Sequence, residues 1–445
     1  MSRKASLLAV GGAIGCSLLL LCLLFGTLGA LTYFSSGNGG PINRIAYVDN
    51  DNNIQVVDAH GEHRVALTTD ASQTVPRVYL FPTWAPNSQH IAFVGISGAD
   101  TTTAALYSAP AAGGTPATVF KSTTQTPFYL YWSPDNQWIG FLAQTDTELS
   151  LMLGRGDGGA EARKLDTGSP FYWAWSPDSR ALFLHVGGST RDPGDARLAL
   201  LGREGTGPPQ ALKNGPASFE APHYSPDGSK ILYAATNGPS DDALILADAQ
   251  GGNPKPIATY QGSVAFAWSP DGKKIASLVT PADAGLPNLG PIWISDADGS
   301  NRQSLVTEDT LAFYWSPDSQ QIAYLAFVPP GNSTSSIEGS SDSRTGLAVP
   351  SPQASQIKLS WRVVNVADKR EHSIAVFEPT QDFLQVLPYF DQYARSITFW
   401  SPDSKQFVYT QSDAGDATSV WVVDIAGTPA PQRIGDGALA VWSWK

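Results

Sequence analysis

The tetrapeptide Trp-Ser-Pro-Asp, with close variants, recurs along the chain, and this recurrence limits the fold more than any other feature. The copies begin at Trp84, Trp132, Trp175, Tyr224, Trp268, Trp315 and Trp400, and a shortened one, Trp442-Ser443-Trp444, stands at the C-terminal end. Successive copies lie roughly 42 to 49 residues apart, except for one doubled gap between Trp315 and Trp400. Within each unit an apolar strand runs into the ring, Ser-Pro-Asp reverses the chain, and a second apolar run such as Ile91-Ala92-Phe93-Val94 follows at once. Proline presets φ at the first central turn position, and the Gly, Ser or Asn after Asp takes a place that favours left-handed backbone. Two further strands complete the unit, the third closed by turns such as Asp296-Ala297-Asp298-Gly299.

Four antiparallel strands per unit, labelled A to D from the inside outward, make one blade of a β-propeller. The segments Arg44–Val48, Ile54–Val57 and Arg64–Leu67 match strands B, C and D of a unit without an A, while Gly437–Trp444 matches an A without the others. The two fragments complete each other, so the ring is expected to close by pairing the C-terminal strand with the N-terminal blade. The expected class is all-β. The count gives eight blades, or seven if the region of the long gap is irregular. Trp84, Trp132, Trp175, Tyr224, Trp268, Trp315, Trp400 and Trp442 are read as structural rings between blades. Composition agrees: 42 glycines and 33 prolines supply turns, and charged residues are only 15% against an average near 25%.

The pattern Trp-Ser-Pro-Asp-Gly, an apolar strand, then a strand ending in Asp-Ala-Asp-Gly resembles the TolB-type, WD40-like propeller repeats. The resemblance covers residues 42–445. Tyr224, Ala85 and Asn87 depart from it but keep a ring or a turn former. It implies the propeller fold. Its functional implication is broad, since such propellers serve as scaffolds, envelope assembly factors and gating domains of peptidases. No hydrolase domain follows the propeller within this sequence.

Ahead of the repeats, Arg3 and Lys4 precede an uncharged stretch from Leu7 to Phe34, about 28 residues where roughly 20 span hydrocarbon. The expected organisation is a cytoplasmic tip (1–6), a transmembrane helix (7–34), a linker (35–41) and a propeller (42–445) with a disordered insertion (329–357). Cationic residues on the N-terminal side alone place the propeller outside the cytoplasm, and the short basic start fits a bacterial envelope. Cleavage of the segment as a signal peptide is the rival reading. Both cysteines, Cys16 and Cys22, lie in it, so the propeller has no disulfide.

Function is expected on the face opposite the Ser-Pro-Asp turns, which carries the D–A and B–C loops. Acidic residues gather there in sequence, among them Asp241, Asp242, Glu308 and Asp309, and a cationic protein or peptide is the partner that such a field would attract. The loop Glu378–Arg395 is rich in rings, with Phe383, Tyr389, Phe390 and Tyr393. These either plug the channel mouth or present a partner site. Thr380 is positioned to cap a short helix that Pro388 would disturb. A net charge of -12 argues against nucleic acid.

Catalytic signatures are missing from the sequence. Gly95-Ile96-Ser97-Gly98-Ala99 fails as a nucleophile elbow at its last position. His60, Glu62 and His63 share one turn and read as exposed turn residues. Asp49-Asn50-Asp51-Asn52-Asn53 lacks the glycine and glutamate of a calcium loop. No metal or cofactor is expected. The sequence reading is a membrane-tethered, extracytoplasmic scaffold that binds a protein, peptide or glycan, not an enzyme. A hydrolase with acidic residues at the channel mouth is the alternative.

Overall fold

Each repeat motif joins an inner strand to the next through one turn chemistry. In a computed structural model, residues 43–445 are described apart from 73, 75, 100, 190–193, 195, 218–219, 239–240, 285, 287 and 329–356. The stretch 7–34 and nearly all of the insertion 329–357 lie outside these residues. Among the described residues no helix is long and apolar enough to cross a membrane.

In six turns the serine hydroxyl donates to the aspartate two residues on, at 2.5–2.7 Å. The same serine oxygen accepts the amide that starts strand B, as from Trp138 and Ala181. The residue after Asp is left-handed at every copy, from Ser88 (φ 59°) to Gly228 (φ 71°). Ser-Pro-Asp is therefore a self-satisfied reversal, and its repetition needs no catalytic explanation.

The strands form four sheets of four, one of six and one of seven. The two larger sheets are each shared by two blades through one long strand. Gln303–Trp315 runs from strand D of blade 6 into strand A of blade 7, and Gln432–Trp442 runs from strand D of blade 8 into strand A of blade 1. Blade 8 has the most reduced inner strand, a single bridge between Trp400 and Phe407. Among the described residues the strands thus group into eight blades. Closure lies in blade 1, where Ile45 pairs with Trp442 and Val48 with Ala438, antiparallel. Asn43 donates its amide to the Lys445 carbonyl at 2.9 Å beside this pairing.

The rings ending the inner strands tie neighbouring blades together. The indole N–H of Trp84 reaches the Val441 carbonyl, Trp132 that of Thr83, Trp175 that of Tyr131 and Trp400 that of Tyr314, at 3.1–3.2 Å. Each acceptor belongs to the preceding inner strand, so the large ring both fills the gap between blades and satisfies its own polar atom. Trp268 and Trp315 break the pattern, since their buried Nε1 atoms have no acceptor among the described residues.

Candidate functional site

The loop between blades 7 and 8 folds into the channel. Helix α1 (Gln381–Val386) is capped by Thr380, whose hydroxyl accepts the Phe383 amide. A 3-10 turn holding Pro388 follows, then α2 (Phe390–Tyr393). Phe390 packs on Phe313 and Tyr314 of blade 7, with centroids at 5.5 and 6.1 Å. Tyr393 meets Tyr129 of blade 3 edge-on at 4.9 Å, and the Tyr129 hydroxyl donates to the Gln392 carbonyl at 2.9 Å. Asn288 of blade 6 donates to the Pro388 carbonyl, and Ala221 of blade 5 donates its amide to Asp391. A segment touching blades on opposite sides of the axis is a plug.

Inner strands bend to receive it. Phe81, Tyr129 and Leu439 stand at φ 56°, 44° and 52°, each three residues before the ring that ends its strand. The sheet register slips at each of them. Such bulges re-aim a side chain and store backbone strain, and they concentrate at functional places.

The plug separates two spaces. Toward the face opposite the Ser-Pro-Asp turns lies a groove of about 380 Å³ against blades 3 and 4. Rings line it, among them Phe81, Tyr129, Phe171, Tyr172, Tyr389 and Tyr393, and its other polar groups are Gln144, Gln385, Gln392 and Ser169. Neither a carboxylate nor a cation is among the lining residues. Tyr389 is 47% exposed and stands perpendicular to the ring of Tyr172, with centroids 6.5 Å apart. Toward the Ser-Pro-Asp face lies an axial chamber of about 330 Å³, walled by blades 5 to 8 together with Ser443 and Trp444 after the inner strand of blade 1, and floored by Phe390, Asp391 and Arg395.

Buried ionisable groups surround the plug. Burial pushes the Glu220 carboxyl well above the usual range, and the charges of Asp391 and Asp242 add to this. Its Oε1 accepts the Val264 amide, while Oε2 has no partner among the described residues. Burial also raises Asp391, against the pull of the Ala221 amide and Arg395. Burial and the Arg395 charge push His223 well below its usual value.

The sequence-predicted site residues fall in different places. Phe383 and Phe390 are buried in the plug, whereas Tyr389 and Tyr393 line the groove. Asp241 is exposed beside blade 5 and accepts from Gln261, and Asp242 is buried at the start of Asp242–Asp248. Glu308 is held by Arg362 at 2.9 Å and by the Tyr324 hydroxyl, next to exposed Asp309. None of the four lines the groove or the chamber. In the turn of His60, Glu62 and His63, Asp58 accepts both the His60 and Glu62 amides and pairs with the His63 ring at 2.7 Å. Asp49 closes its own turn in the same way by accepting the Asp51 and Asn53 amides. Arg395, His223 and Glu220, and the bulged Phe81 and Tyr129, were not singled out by sequence. The one signal for the bulges was aromatic density ahead of the repeated ring.

No family model matches the chain, and no curated protein matches it. Among solved structures it is similar to a eukaryotic initiation factor, at 11% identity over 90% of this chain and 98% of that one, with a TM-score of 0.51. It is similar also to the β-propeller domain of the Trilobed protease from Pyrococcus furiosus (11% identity, 81% and 98% covered, TM-score 0.48) and to TolB from Acinetobacter baumannii (13%, 88% and 78%, 0.39). What is shared is a fold. The chain is a β-propeller, and at these identities its chemistry has to be read from its own residues.

Proposed function

We propose that this propeller is a binding module, membrane-tethered and extracytoplasmic, that takes a neutral glycan in the groove between the plug and blades 3 and 4. The tether is the apolar stretch 7–34. One observation carries the choice of ligand: the groove offers ring faces, amides and hydroxyls, and no charge lines it. Ring faces suit the C–H surface of a sugar, and amide side chains can both donate to and accept from its hydroxyls. A cationic partner fits less well, because none of the four acidic residues lines the groove and Glu308 is already paired. The test is a neutral-glycan array probed with the full chain in detergent. Retention of at least one oligosaccharide, lost in Tyr389→Ala, supports the reading. No retention by the folded protein sinks it.

A second reading, a hydrolase, is favoured by the carboxyls of Glu220 and Asp391, both raised chiefly by burial. Its weakness is access, because Glu220 lines neither space. Glycan cleavage abolished by Asp391→Asn in a protein that still binds the glycan would select it.

A further inference from the structure

The axial chamber has features that the groove lacks. Arg395 follows α2 and lines the chamber, and it lines as well a second hollow of about 310 Å³ toward blades 2 and 3. Its Nε approaches the Asp391 carbonyl at 3.4 Å, and its Nη2 donates to the Ala221 carbonyl at 3.2 Å. Its Nη1 has no acceptor among the described residues, and no carboxylate there forms an ion pair with it. The nearest candidate, Asp391, is already engaged. Its Oδ2 accepts the Ala221 amide at 2.8 Å and its Oδ1 the Gln392 amide at 2.9 Å.

A guanidinium in apolar surroundings with no carboxylate in ion-pair contact, and only the nearby charge of Asp391 to offset it, can still take up an anion. Here the surroundings are rings: Phe313, Tyr314, Phe390, Trp400 and Trp444 share the chamber with it. His223 Nε2, Trp268 Nε1 and Trp315 Nε1 are all buried without a partner among the described residues, and all three residues line the chamber. Volume sets the scale, since about 330 Å³ lies at the lower end of small-ligand pockets.

We infer that the axial chamber binds a small organic monocarboxylate with an apolar or aromatic body, its carboxylate on Arg395 and its body among the tryptophans. A single negative charge is the match, because Asp391 stands beside the one guanidinium and would oppose a dianion such as a phosphate monoester. The site is separate from the glycan groove, being on the other side of the plug.

Titration calorimetry on the full chain in detergent at pH 7 tests this, with phenylacetate and its neutral isostere phenylacetamide as probes. Phenylacetate is expected to bind at least tenfold more tightly. Arg395→Gln should erase that preference while leaving phenylacetamide binding unchanged, and Arg395→Lys should keep part of it. Tyr389→Ala, which alters only the groove, should change neither. Equal affinities in the unaltered protein, no heat with either probe at millimolar concentration, or a preference that survives Arg395→Gln would each overturn the inference. Should Arg395→Gln fail to fold, the two probes on the unaltered protein and on Arg395→Lys still decide it.

Discussion

The backbone amide of Asp135 donates to the hydroxyl of Ser179 in the next blade, at 2.9 Å. The same bond joins Asn87 to Asn136, Asp271 to Ser319, Asp318 to Ser404 and Lys445 to Ser88. The residue after Asp in the repeat is therefore chosen by two demands, a left-handed backbone and an acceptor for the neighbouring turn. Where it is Gly228 or Gly272, only the first is met. Ser179→Ala is expected to cost about 1–2 kcal/mol, because a part-buried donor loses its acceptor. Ser179→Gly should cost less, since glycine relieves about 1 kcal/mol of left-handed strain. Urea denaturation of both variants checks the order; no loss in Ser179→Ala would show that the bond contributes nothing, and equal losses that the backbone there is unstrained.

Removing residues 437–445 deletes the inner strand of blade 1 and leaves Ile45–Asp49 without its antiparallel partner. An unpaired strand edge is a template for another chain. The truncated protein is expected to unfold at a temperature lower by about 10 °C or more and to elute as larger species in size exclusion. A monomer with an unchanged midpoint would refute closure by this strand.

Phe390 is 2% exposed, packed on Phe313 and Tyr314 at the centre of the plug. Phe390→Ala should destabilise the protein by about 3–5 kcal/mol, the usual range for a buried ring. A loss below about 1 kcal/mol would mean that the plug is a loose lid with little part in the core.

Glu220 gives the pH dependence. Its folded-state pKa is raised, first by burial and then by Asp391 and Asp242. The unfolded carboxyl ionises first, so stability falls as pH rises above the ordinary carboxylate value. His185 and His223 act in the opposite sense on the acid side. Burial lowers both, and stability is lost as pH falls below the ordinary imidazole value. The contrast between the unaltered protein and Glu220→Gln isolates the carboxyl. The variant should be the more stable at pH 7, with the difference shrinking toward pH 4. A difference that does not vary with pH would assign the Glu220 effect to packing.

The fold was legible in the sequence because its signals are local and repeated. Ring, serine, proline, aspartate and a left-handed residue each act within one turn, and the missing strand A at one end matched the spare one at the other. The plug was half legible, since Thr380 and Pro388 announce a short broken helix but nothing local says where its rings go. The chamber was not legible. Arg395 acquires its meaning from Ala221, which is 174 residues away in sequence, and from indoles of blades 6 and 7 that fail to find the carbonyls their counterparts use. Likewise, loop assignment gives the acidic residues a face without a position on it. Glu308 turned out to be paired across strands with Arg362.

Because the strand beside Ile45 comes from residues as late as Trp442, the ring cannot lock until those residues have been made. A nascent chain carries one open seam at Ile45–Asp49 until residues 437–442 leave the ribosome. Whatever guards that seam in the interval has to act on the very first strand, which waits longest for its partner.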